Sequence, residues 1–162
     1  MSMKRPKRAI RAGILTFLVI VFPLTYQAVL ADVRISGFQD LALGTWSGSG
    51  DRVASTDLCA YNSDSSSYRI TARGTGVANA FILDQNDGPG DISYIVHFRR
   101  IGDAYVQLSA NMSQAFNGAH TTDQNCNDIN NATLRVTVEA DALGSAMAGQ
   151  YSGNITLLME PD

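Results

Sequence analysis

Alternation of apolar and polar residues with a period of two constrains this chain more than any other feature. In SSYRITARG, Tyr68, Ile70 and Ala72 alternate with Arg69, Thr71 and Arg73. In DISYIVHFRR, Ile92, Tyr94, Val96 and Phe98 alternate with Ser93, Ile95, His97 and Arg99. In ATLRVTVEA, Leu134, Val136 and Val138 alternate with Arg135, Thr137 and Glu139. Successive strand side chains point to opposite faces, so each segment buries one face and wets the other. Shorter strand candidates are Val33 to Phe38, Leu41 to Trp46, Asp57 to Tyr61, Asn79 to Leu83 and Ala104 to Ser109. Ser47-Gly48-Ser49-Gly50, Asn62-Ser63-Asp64 and Asp84 to Gly90 separate some of them. There Gly supplies positive φ, and Asn and Asp bond their own backbone. Asp141 to Met147 offers one helical turn at most. The polar stretch Ala110 to Asn130 reads as a long loop pinned near its end by Cys126. The pattern predicts an all-β chain, an antiparallel β-sandwich in one domain spanning 32–162. At its end, Tyr151, Gly153, Ile155, Leu157 and Met159 share one face of a closing strand that Pro161 terminates.

Residues 1–31 set the compartment. Lys4, Arg5, Lys7, Arg8 and Arg11 precede an apolar run from Ile14 to Leu24, and Gln27-Ala28-Val29-Leu30-Ala31 places small residues before a cleavage point. That order predicts a secretory signal peptide. The alternative, an uncleaved anchor, has an apolar core shorter than the roughly 20 residues a membrane-spanning helix needs, and Pro23 interrupts it. Five of the twelve Lys and Arg residues lie in this leader and all fifteen acidic residues lie beyond it. The remainder therefore carries seven arginines and a formal charge of −8. Such a surface argues against nucleic acid and, after cleavage, against anionic membranes as partners. In an exported chain the two cysteines, Cys59 and Cys126, read first as a disulfide and second as a pair of buried thiols.

Ala148-Gly149-x-Tyr151-x-x-x-Ile155-x-Leu157 resembles the last strand of chaperone–usher pilus subunits, above all the spore coat protein U-like domains of archaic chaperone–usher pili. Leu41-x-Leu43-Gly44-x-Trp46, Cys59 in the next strand, Tyr68-x-Ile70 and Ile92-x-Tyr94 follow that family's order, so the resemblance spans most of Val33 to Pro161. It implies an immunoglobulin-like sandwich lacking its last strand. A periplasmic chaperone would supply that strand first, and then a neighbouring pilus subunit during assembly at an outer-membrane usher. It also implies a groove lined by Tyr151, Gly153, Ile155, Leu157 and Met159, and a route through the periplasm to the cell surface. The family's donor extension and its early cysteine have no counterpart here. Val33 to Phe38 could be a short donor or an ordinary first strand.

Little points to catalysis. His97 and His120 are the only histidines and no nucleophile-elbow motif occurs, so the expectation is a protein that is not an enzyme. No cofactor or metal is expected either. Asp84, Asn86, Asp87 and Asp91 lie in an oxygen-rich run without EF-hand spacing, better read as a hairpin turn. Asp123, Asn125 and Asp128 form a second polar cluster. The two clusters together support an alternative function, a secreted module that recognises carbohydrate or another small ligand through its loops. Trp46 follows the Leu41, Leu43 pattern and reads as core. Asn111, Asn131 and Asn154 match the N-glycosylation pattern, and none is given weight.

Overall fold

A computed structural model describes residues 31–162. The expected signal peptide lies outside the described residues except for Ala31. Eleven antiparallel strands and one short helix follow in order. They are β1 (Val33–Ser36), β2 (Arg52–Asn62), β3 (Ser67–Arg73), β4 (Ile82–Gln85), β5 (Asp91–Ser93), β6 (Ile95–Arg100), β7 (Val106–Leu108), β8 (Ser113–Asn117), β9 (Ala132–Val138), α1 (Ala140–Ser145), β10 (Tyr151–Ser152) and β11 (Thr156–Pro161). One sheet runs β1-β2-β9-β6-β7; the others are β11-β3-β8 and the small β10-β4-β5. The chain is an antiparallel β-sandwich. No helix among the described residues is long and apolar enough to cross a membrane.

The alternating segments become β3, β6 and β9, and their apolar residues meet in one core. Val96 and Phe98 from β6 and Leu134, Val136 and Val138 from β9 face Tyr68, Ile70 and Ala72 from β3 and Phe116 from β8. Phe98 packs edge-on against Tyr68 (6.4 Å) and Phe116 (4.8 Å), while Tyr68 stacks on Phe116 at 5.9 Å. Such aromatic pairs add about 0.5–1.5 kcal/mol each to the burial of their area. Burial also pushes the Tyr68 phenol up to about 12, so it stays neutral.

At one end the β2–β9 ladder gives way to the Asn131 side chain and to a backbone bridge from His120 to Ala60 and Asn62. β9 pairs with β2 only as far as Leu58↔Ala132, so Ala60 lies past the ladder. The Asn131 amide takes over. Its Oδ1 accepts from Ala60 N–H at 2.8 Å, and its Nδ2 donates to the carbonyls of Ala60 and Gly118, both at 2.9 Å. Beside it Cys59 and Cys126 form a disulfide across a separation of 67 residues. This ties β2 to the tight turn Cys126–Asp128, where Cys126, Asn127 and Asp128 all have positive φ.

Several expectations change. DISYIVHFRR is two strands, β5 and β6, in different sheets, and of Asn79 to Leu83 only Ile82 and Leu83 are in a strand. Ala110 to Asn130 is not one loop, because Ser113–Asn117 pairs with β3; its one buried residue, Phe116, gives too short a period to be seen in sequence. The closing strand is two strands. β10 pairs with β4, β11 pairs with β3, and Gly153–Ile155 carries the chain between sheets. Leu41 to Trp46 keeps its inward Leu41 and Leu43, yet it has no ladder at all. Val33–Ser36, by contrast, is an ordinary first strand, paired with β2 from Val33↔Asn62 to Ser36↔Cys59.

Opening the disulfide should lower stability by about 4 kcal/mol in the chain-entropy model for a loop of this size, measured as the urea midpoint with and without reductant. Asn131→Ala, which strands the buried Ala60 N–H, should cost about 2 kcal/mol in the same assay at an unchanged denaturant slope.

Candidate functional site

Gly37, at φ +86°, turns the chain off the edge of β2. From there to Gly50, no backbone hydrogen bond joins the segment to the other described residues. Its side chains still alternate, with Leu41 and Leu43 half-buried against the core. The segment is a strand in all but pairing. β11 has the complementary deficiency. One edge is fully paired with β3, from Thr156↔Arg73 to Pro161↔Tyr68, and the other edge has no backbone partner among the described residues.

The first of these segments lines two openings, whose far wall is the stretch Gly149 to Ile155 just ahead of β11. One cavity of about 330 Å³ lies among Leu41, Leu43, Gly153, Asn154 and Ile155, above Leu83, Tyr94, Leu134 and Val136. A second of about 720 Å³ shares Leu43 and Leu83 and runs on to Trp46, Leu143, Met147 and Tyr151. Together they make one apolar groove along residues 38–46. Its margin is polar at Gln39, Asp40 and Asn154. Burial pushes the Tyr94 phenol up to about 12, and its hydroxyl donates to the Asn154 carbonyl at 3.5 Å. Near the other end β1 packs beside β11 without pairing to it. Trp46, expected in the core, is a half-buried groove residue whose Nε1 donates to the Gly50 carbonyl at 2.9 Å.

The predicted groove residues divide. Tyr151, Gly153 and Ile155 line the cavities, Leu157 is half-buried against the core, and Met159 is buried within it. The two polar loops are not brought together; no hydrogen bond joins them among the described residues. Asp84 and Asp91 stand opposite each other in the β4–β5 hairpin, and Asn86 Oδ1 accepts from Ser152 Oγ at 2.6 Å. Asp123 accepts from the backbone N–H groups of Asn125 and Asn127 at 2.8 and 3.1 Å, an Asx turn that shapes the chain around Cys126. Asn125 and Asp128 belong to that turn, Asp128 N–H donating to the Asn125 carbonyl at 3.0 Å. No cluster of three or more potential metal ligands occurs among the described residues.

His120 serves the same turn, its Nδ1 accepting from Asp123 N–H at 3.0 Å. His97 lies on the outer face of β6, opposite Arg135. The Asn111 amide donates to the Ala78 carbonyl at 2.8 Å, so this side chain, like Asn131, is engaged in folding contacts.

No family model matches the chain, and no curated protein matches it. Among solved structures, a chain from the chaperone–tip adhesin complex of CFA/I fimbriae is similar, with a TM-score of 0.58 and 22% identity. The similarity covers 81% of this chain and 42% of that one, so the chain spans less than half the length of the protein it resembles. The likeness is one of fold.

The Asx turn carries a pH signature. The N–H groups of Asn127 and Asn125, and then the charge of His120, hold the Asp123 carboxyl below its usual value. With the folded pKa below the unfolded one, the stabilisation is complete above the unfolded value near 4. It is lost as pH falls through the folded value. Asp123→Asn should therefore lower the urea midpoint at neutral pH, and the difference from wild type should shrink as the pH falls below about 4.

Proposed function

We propose that the protein is a non-enzymatic, exported subunit of a surface fibre that receives a β-strand from another polypeptide. The observation that carries this reading is the groove between residues 38–46 and the terminal ribbon. Residues 38–46, without backbone partners, form one wall above an apolar floor, and the other wall, Gly153 to Ile155, leads directly into β11, whose outer edge is also unpaired among the described residues. A row of unpaired N–H and C=O groups is a template for strand addition. A donated strand with apolar residues at every second position would satisfy both rows and fill the cavities beneath them. The chain's likeness in fold to part of a fimbrial chaperone–tip adhesin complex supports the same reading.

On this reading the partners are a periplasmic chaperone, an outer-membrane usher and neighbouring subunits, and the destination is the cell surface. Because Val33–Ser36 is held in the sheet by β2, that segment acts as framework, not as donor. The protein then acts as a strand acceptor.

The single tryptophan sits in the groove and reports on it. Titration with a peptide of alternating apolar residues, or co-expression with a periplasmic chaperone, should shift Trp46 emission to the blue. It should also slow amide exchange along residues 38–46 and along the outer edge of β11. Leu43→Asp, placing a carboxylate where the two cavities meet, should weaken uptake at least tenfold. A lone monomer whose amides in both segments were already protected would rule the reading out.

A further inference from the structure

The outer face of the five-stranded sheet carries a second feature that strand uptake leaves unexplained. His97 on β6 stands opposite Arg135 on β9, which stands opposite Ser55 on β2, while Gln107 on β7 flanks His97. In the next row Arg99 stands opposite Thr133. Like charges in cross-strand contact destabilise a sheet. Here the cationic carbons of Arg99 and Arg135 lie 4.3 and 3.8 Å from the centre of the Tyr105 ring, and the His97 ring meets it edge-on at 6.2 Å.

No carboxylate answers these charges. Of the seven arginines beyond the leader, Arg69 alone forms an ion pair among the described residues. The nearest acid by register, Asp57, accepts from the Thr133 hydroxyl at 2.8 Å and makes no ion pair. Arg99 Nε, Arg135 Nε and His97 Nδ1 are buried without a hydrogen-bond partner. Two guanidinium groups with neither a carboxylate nor a hydrogen-bond acceptor, on one face of an otherwise acidic protein, mark a place for an anion.

We propose that Arg99, Arg135 and His97, gathered around Tyr105, recognise a carboxylate or sulfate group carried by an acidic saccharide. Guanidinium groups bind such anions through paired, charge-assisted hydrogen bonds. The surrounding outer-face side chains Ser55, Gln107 and Thr137 offer hydroxyl and amide groups suited to sugar hydroxyls. A protein partner would call for a buried aromatic or apolar anchor at the centre of the patch, whereas here the only aromatic ring is covered by cations. The site lies away from the groove and does not depend on strand uptake.

Calorimetry should be run on the folded protein with sialyllactose, a heparin-derived hexasaccharide, neutral lactose and sodium sulfate. At least one acidic saccharide should bind tenfold or more tightly than sulfate, and lactose should not bind. Arg99→Gln or Arg135→Gln should weaken binding at least tenfold, while Arg69→Gln, an equal loss of charge on another sheet, should change it less than twofold. In wild type, saccharide should move the His97 ring resonances and raise its pKa, which burial and then the charge of Arg135 hold low in the free protein. This readout needs no variant to fold. Failure of both acidic saccharides, sulfate binding as tightly as either, an equal effect of Arg69→Gln, or an unmoved His97 would each overturn the proposal.

Discussion

A strand edge must find partners for its backbone groups, and among the described residues neither residues 38–46 nor the outer edge of β11 does. Everything about the terminal ribbon follows from that constraint. β2 is the longest strand and shares its length among partners: Arg52 to Leu58 pair with β9, and Cys59 to Asn62 pair with β1. Where β1 ends, Gly37 turns the chain away, and the next residues keep the alternation of a strand without its ladder. Unpaired backbone groups are tolerable only where water or another chain reaches them. The groove is therefore both the weak line of the sandwich and its most specific surface.

The remainder of the molecule compensates for that weak line. Tyr68, Phe98 and Phe116 interlock the two large sheets, so the layers stay together without a strand bridging the open side. Opposite β9's last pair, the Asn131 amide and the disulfide do what additional ladder would do elsewhere. A disulfide acts mainly by shrinking the unfolded ensemble. It therefore adds stability without requiring further apolar area.

The sequence revealed segments far better than it revealed pairings. Period-two alternation located β3, β6 and β9 because each has one wet and one dry face along most of its length. It missed β8, where only Phe116 is buried. It ran β10 and β11 together because Gly153 to Ile155 preserves the period while crossing between sheets. The groove was half legible. The terminal residues were visible as an apolar stripe, but the second wall, Leu41 to Trp46, read as an ordinary strand, since nothing in a sequence shows a missing partner. The oxygen-rich loops looked like ligand sites because composition does not show that Asp123 serves its own backbone. The cationic patch was invisible for the opposite reason. Arg99 and Arg135 are distant along the chain, and only the register His97↔Arg135 brings them to one tyrosine.

An unpaired edge can serve as a template only if it is already extended and held, since ordering it on contact would consume the energy of the contact. β11 meets that condition. Its six residues are in full register with β3, and Met159 anchors the middle in the core. Arg69, on β3, reaches in both directions: its Nε donates to Ser113 Oγ on β8 at 2.9 Å and its Nη1 to Asp162 just past β11 at 2.9 Å. Exposed pairs of this kind contribute at most about 1 kcal/mol each, too little to determine the fold. Their effect is positional, fastening three neighbouring strands where the outer one has no backbone partner on its far side among the described residues. The opposite wall has no such clamp. Residues 38–46 are held by inward Leu41 and Leu43, by Arg52 reaching the Thr45 carbonyl, and by the Trp46 bond to Gly50. One side of the groove is thus held by side chains alone, while the terminal ribbon beside it is fixed by a full ladder.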